Sequence, residues 1–267
     1  MSATSPYRLT FLQALRLQID VIGALIMRES ETRYGHHRTG IIWMFAEPLL
    51  LGLAVSVIKV YMGYKLPPGV PILMYGIICY LPFYMFRALI GRSSGALQAN
   101  MTLLFHRNVT LLDVMIARST LELMSIIGVV VIIELAAGFM IGHWPAKPMT
   151  LIAALLLMAL LGHGLGMMVA ALTAAYEGIE RLVHMFTYLM MPLSGAMFML
   201  ETVPPAWRDL LLWVPLPNIH EMARDGQFGT LLIHHYDVSY IVYWVIGTNL
   251  LGMLALRAIR PKLTVFG

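Results

Sequence analysis

The sequence predicts an all-α polytopic membrane protein with six transmembrane helices and an N-terminal amphipathic helix at the membrane interface. Three observations predict it. Of 267 residues, 59% are hydrophobic and only 12% charged, where soluble domains run near 45–50% and about 25%. The mean hydropathy is +0.77. The apolar residues also gather in runs close to the roughly 20 residues that cross a bilayer. Eighteen basic and fourteen acidic residues cannot solvate the surface of a soluble protein this apolar. Disorder is excluded by the same numbers, since disordered chains are poor in apolar residues and rich in charge.

The elements follow in order. Residues 8–28 place Phe11, Leu15, Ile19, Ile22 and Ile26 at helical spacing, with Gln13, Arg16 and Asp20 opposite. That pattern predicts a helix lying in the interface. No small-residue cleavage site follows it, so no cleavable signal peptide is expected. The six spans are Ile41–Val60, Pro71–Ile90, Leu121–Ile141, Met149–Ala171, Leu182–Leu200 and Tyr240–Ala258. The second contains Pro82, with Arg87 near its end. Long polar-mixed segments fall at 92–120 and 201–239. The organisation is one transmembrane domain over 1–267: an N-terminal part to residue 40, the six-span region 41–258 and a tail 259–267.

Lys and Arg set orientation in such a protein. Twelve fall on the side of the termini: Arg8, Arg16, Arg28, Arg33, Arg38, Arg92, Arg107, Arg118, Arg181, Arg257, Arg260 and Lys262. Five fall opposite: Lys59, Lys65, Lys147, Arg208 and Arg224. Both termini are therefore expected in the cytoplasm. The net charge of +4 becomes a topology signal, and no nucleic-acid partner is expected.

Charge inside an apolar run is costly and faces protein or water. Glu47, before Pro48, is expected to be buried, structural or functional. Arg87 either snorkels or faces the bundle. Glu122 is expected to pair with Arg118 four residues earlier. Glu134 lies a turn or two from the outer end, and these scattered charges do not line up as a proton relay.

Several chemistries lack their motifs. There is no G-x-x-x-x-G-K-[ST], G-x-S-x-G or H-E-x-x-H. Cys79 is the single cysteine, which leaves no intrachain disulfide or thiolate metal site. His36-His37 and His234-His235 flank spans, where polar residues are expected in any case, and no metal is expected. Gly162-His-Gly-Leu-Gly166 contains a G-x-x-x-G, whose default use is close helix packing.

Aromatics are placed unevenly. Tyr80, Phe83 and Tyr84 share one face of the second span. Tyr240, Tyr243 and Trp244 do so in the outer half of the sixth. Tyr61, Tyr64, Trp144, Trp207 and Trp213 suit an interfacial belt. The second-span cluster is deeper than a belt requires. Aromatic faces stack on sugar C–H faces, so Tyr80, Phe83, Tyr84, Arg87, Tyr240, Tyr243 and Trp244 are candidate substrate contacts.

Two segments carry a family resemblance. The run Arg28-Glu-Ser-Glu-Thr-Arg33-Tyr34-Gly35, followed by Gly40, Trp43 and Glu47-Pro48, resembles the segment leading into the first span in permeases of type 2 ABC exporters. Asn218-Ile-His-Glu-Met-Ala-Arg224-Asp-Gly-Gln-Phe228-Gly229 is similar to the capsular polysaccharide exporters of that class, the KpsM-like family. The resemblance covers essentially the whole chain. It implies a homodimer with two copies of a separate ABC ATPase, which would hold ATP and Mg, while this chain binds no cofactor. It implies a coupling loop at Leu103, Leu104, Phe105, His106, Arg107, Asn108 and Leu111. It also implies re-entrant periplasmic gate helices around Pro204, Pro205, Trp207, Trp213 and Pro215. Prolines at both ends and an apolar middle over 201–217 suit such a dipping element; an ordinary interfacial loop is the alternative. The expected substrate is a polysaccharide, lipid-linked at one end, passed on to a periplasmic export partner, with membrane lipid as surroundings. Two alternatives stay open. One is the same fold exporting O-antigen, teichoic acid or a small hydrophobic compound. The other is a membrane enzyme using His220, Glu221, Arg224 and Asp225.

Overall fold

A computed structural model of the chain describes residues 10–35, 38–100, 109–176 and 178–265. Over these the protein is helical, with no strand among the described residues. The helices are α1 (Phe11–Tyr34), α2 (Arg38–Tyr61), α3 (Ile72–Ser93), the single turn α4 (Ala96–Ala99), α5 (Leu111–Ile141), α6 (Pro148–Ala175), α7 (Ile179–Leu189), α8 (Pro205–Leu212), α9 (Pro215–Phe228) and α10 (Val238–Val265). Among the described residues five of them, α2, α3, α5, α6 and α10, are long and apolar enough to cross a membrane.

Local chemistry sets the boundaries. Thr10 caps α1 in a reciprocal pair with Gln13. Thr110 and Asp113 do the same for α5, satisfying orphan N–H groups at both starts. That cap starts α5 ten residues before the expected Leu121, shortening the segment that the sequence left as a long loop. The expected fifth span, Leu182–Leu200, is not one continuous helix. Its helix is α7, 11 residues long, about 16 Å at the usual rise. Met190 to Met199 is non-helical. Pro192 removes a backbone donor, and Gly195 turns the chain at φ +77°, a conformation open chiefly to glycine. Composition predicted a span there; backbone geometry ends the helix halfway.

The second span is central. Its α3 is apolar all round, and 17 of its 22 residues are buried, as expected of a helix enclosed on every side. Pro82 sits inside it without ending it. Helix α6 packs against α3, α9 and α10. Glycine permits close approach to α10: a Cβ on Gly164 would lie 2.7 Å from the Asn249 backbone nitrogen, and one on Gly252 would lie 2.7 Å from the Gly164 carbonyl. The glycine run of α6 is a packing device against both α3 and α10.

Helix α1 divides its apolar stripe. Phe11, Leu12, Leu15 and Ile19 are exposed, while Leu25 is buried with Val21, Ile22 and Ile26 against Val114 and Ala117. Its N-terminal half offers an apolar surface, and its C-terminal half is docked on α5.

Candidate functional site

Three places concentrate polar groups. The first is a cleft between α2, α3 and α7, a cavity of about 250 Å³ lined by Glu47, Tyr84, Arg87, Ala88, Gly91, Arg92, His184, Thr187 and Tyr188. The Arg87 guanidinium donates to the Tyr188 hydroxyl at 3.1 Å. It lies 5.8 Å from the Tyr84 ring centroid and 5.4 Å from that of Tyr188, within cation–π range. The Tyr80 hydroxyl lies near Arg87, and Glu47 lies near the Tyr84 hydroxyl. Glu47 itself is exposed, whereas Pro48 is buried. The expectation of a buried carboxylate is corrected, because helical rotation turns the proline inward and the carboxylate into the cleft.

Four candidate residues thus come together: Glu47, Tyr80, Tyr84 and Arg87. Phe83 does not line the cleft; it is 1% exposed and packs between the Tyr80 and Phe86 rings. Tyr240, Tyr243 and Trp244 lie elsewhere, on α10. The Tyr240 hydroxyl donates to the Trp213 carbonyl at 2.5 Å, and its ring meets Trp244 edge-on. Tyr243 is exposed. The sequence reading missed His184, Thr187 and Tyr188. Their spacing of three and four put one polar face on an otherwise apolar run, and that signal was available.

The second place fastens α1 to the bundle. Arg33 pairs with Glu29 at 2.8 Å and with Glu122, which also pairs with Arg92. Arg118 pairs with Glu29 at 3.2 Å. The expected Arg118–Glu122 pair is therefore corrected, since both side chains reach α1 or α3 instead. Arg28 donates to Asn100 at 2.8 Å, and Arg92 also meets Tyr34. Trp43, on α2, is exposed.

The third place is at the far end of the bundle. Pro205 opens α8, which buries no residue; Trp207 and Trp213 are exposed. Pro215 opens α9, every residue of which is buried. Inside α9, Arg224 binds Glu221 at 2.5 Å, the Gly195 carbonyl at 2.7 Å and the Phe198 carbonyl at 3.1 Å. Glu221 accepts the Leu200 N–H at 3.0 Å. The pair therefore clips the stretch after α7 to α9. Lys59, counted from sequence as an outer charge, is buried; it donates to the Met197 carbonyl at 2.7 Å and faces the Tyr64 and Tyr75 rings. His220 binds the Leu216 carbonyl, so the four groups of the enzyme alternative are committed to packing. Burial opposes ionisation of Asp225, but Lys147, at 2.8 Å, and the Tyr236 hydroxyl outweigh it and hold the carboxyl below its ordinary range. The adjacent histidines diverge: His234 meets the Gly229 carbonyl, and His235 meets Glu201.

In the expected coupling loop, Leu103, Leu104, Phe105, His106, Arg107 and Asn108 lie outside the described residues. Leu111 is 9% exposed and packs with Ala96, Leu97 and Met167, so it serves the core.

The profile of the ABC-2 type transporter family matches residues 20–228. The capsule polysaccharide export inner-membrane protein CtrC of Neisseria meningitidis serogroup B is 33% identical over 237 residues, covering 88% of this chain and 89% of that one. BexB of Haemophilus influenzae, of the same description, is 30% identical over 251 residues, covering 93% and 94%. The polysialic acid transport protein KpsM of Escherichia coli is 25% identical over 238 residues, covering 88% and 92%.

Proposed function

Because the chain belongs to the ABC-2 type transporter family, we propose that it is the inner-membrane permease of an ATP-driven exporter of capsular polysaccharide. The observation that carries this reading is similarity along nearly the full length to relatives named for capsule or polysialic acid export. The sequence has no phosphate-cradling P-loop of its own, so a separate ATPase is the source of energy. Two permeases would join two ATPase subunits, which hold ATP and Mg, and a periplasmic partner would receive the glycan.

Residues 179–199 make the sixth crossing in this reading. Two contacts support it. His184 lies against Gly91 near the end of α3 that meets α1, and Met197 lies against Lys59 near the far end of α2. A sixth crossing leaves both termini in the cytoplasm, in keeping with twelve basic residues against five. The glycan would pass the cleft of Glu47, Tyr84, Arg87 and Tyr188, then the re-entrant pair α8–α9. ATP-driven closure of the ATPases would act through residues 103–108 and through α1, which is salt-bridged to α5, itself salt-bridged to α3.

Affinity purification of the tagged chain from its native membrane tests this. A near-stoichiometric ABC ATPase should co-purify, and Phe105→Ala with Arg107→Ala should weaken that association and stop surface glycan export. Absence of any ATPase in mild detergent, or normal capsule in a deletion strain, would sink the reading.

A further inference from the structure

Arg87 differs from the other arginines in the bundle interior. Arg33, Arg92, Arg118 and Arg224 each have a carboxylate within ion-pair distance. Among the described residues Arg87 has none within 4.0 Å, although it sits inside α3, about four residues from the final turn. Its partners are neutral: the Tyr188 hydroxyl and the Tyr84 and Tyr188 ring faces. A guanidinium cannot discard its proton in a protein. It faces a cavity of about 250 Å³ that also holds Thr187, His184 and Glu47. That space is below the size of a drug-like pocket and suits one sugar unit.

We propose that this cleft is a subsite for one acid-bearing sugar, with Arg87 taking the carboxylate or phosphate and Glu47 accepting ring hydroxyls. The inference rests on the export reading and sharpens it. Three physical features support it. Planar guanidinium pairs with planar oxyanions through two parallel hydrogen bonds. The Tyr84 and Tyr188 rings offer apolar faces for the C–H side of a sugar. Glu47 sits on the exposed rim and repels an acid group there, so a sugar bearing both acid and hydroxyls would enter in one orientation. A neutral sugar would leave the Arg87 charge unanswered. The same oxyanion chemistry is available from a lipid phosphate, and the test separates the two sources.

The full chain in phosphatidylcholine nanodiscs is titrated with a galacturonate hexamer and with maltohexaose, using calorimetry. The uronate should bind about tenfold more tightly, the scale of one charge-assisted hydrogen-bond pair. Arg87→Gln should erase the difference, while Tyr188→Phe, which keeps the charge, should retain it. Glu47→Gln should widen it, a gain that loss of folding cannot mimic. Equal binding of both glycans, or a preference that survives Arg87→Gln, overturns the subsite and leaves the export reading standing. Binding of neither glycan overturns the subsite and counts against the glycan path as well. In phosphatidylglycerol discs, a preference that persists supports the sugar as source of the anion. Its loss there overturns the sugar assignment and gives Arg87 to lipid phosphate.

Discussion

At the α1 end of the bundle, Glu29, Arg33, Arg92, Arg118 and Glu122 share their contacts, and the basic members keep 12–29% of their side-chain surface. At the far end, Arg224 and Glu221 form one pair with 1% exposure on each side, and its spare hydrogen bonds hold backbone. The first arrangement has several partners per charge, so one loss can be absorbed. In the second, the Arg224 guanidinium has Glu221 as its one carboxylate and is shut away from solvent, although His234 also lies 3.6 Å from Glu221. In the proposed exporter, a helix that tilts with the ATPase would be better held by the first kind of bond, and a fixed end by the second. The difference teaches that similar charges read from sequence can be a shared network in one place and a closed clip in another.

The largest expected effect comes from breaking the clip. Glu221→Ala leaves Arg224 buried without its counter-charge and the Leu200 N–H without its acceptor. Loss of one partner of a buried pair costs about 3–5 kcal/mol. Thermal unfolding in detergent should show a large drop in Tm, and the stretch between α7 and α9 should open to proteolysis. A Tm equal to wild type would erase the contrast between the two ends.

Glu122→Ala should come next. It removes the carboxylate shared by Arg33 and Arg92, for a cost of about 1–3 kcal/mol. Cross-linking between cysteines placed on α1 and α5 should weaken. Arg33→Ala alone should cost less than Glu122→Ala, because Arg92 still answers Glu122 and Arg118 still answers Glu29. If the Arg33 variant unfolds as readily as the Glu122 variant, the network is not redundant.

The smallest effect is expected at Lys147, whose side chain is half exposed. Lys147→Ala should cost under about 1 kcal/mol. Its pH behaviour follows from Asp225. A carboxyl held below its ordinary 3.8 contributes stability above that value and loses it as pH falls through the lower, folded one. The Tm difference between wild type and Lys147→Ala should therefore match at about pH 5 and about pH 8, and shrink only below about pH 4. A difference that changes between pH 5 and 8 would place the interaction elsewhere.

Much of the fold was legible because spans are written as long apolar runs. Five helices fall where hydropathy put them, and the α1 stripe was visible at its spacing of three and four. The fifth run shows the limit. Residues 182–200 are apolar enough for a span, but hydropathy sums side chains and does not see Pro192 and Gly195 redirecting the backbone. In the cleft, Glu47, Tyr84 and Arg87 stood out as polar groups in apolar surroundings. His184, Thr187 and Tyr188 were hidden because their run was scored as a whole. Phe83 was grouped with Tyr80 and Tyr84 by helical phase, yet a helix enclosed on every side has no single functional face.

By itself the sequence determined the medium and the broad architecture. Charge is too scarce for water, and apolar runs of fixed length need helices, because a backbone in lipid must satisfy its own hydrogen bonds. Partner choice was decided by the tertiary structure alone. Glu122 could have met Arg118 one turn away and meets Arg33 and Arg92 instead; Lys59 could have stayed in water and caps Met197. Long charged side chains reach several neighbours, and only the packing of helices selects among them.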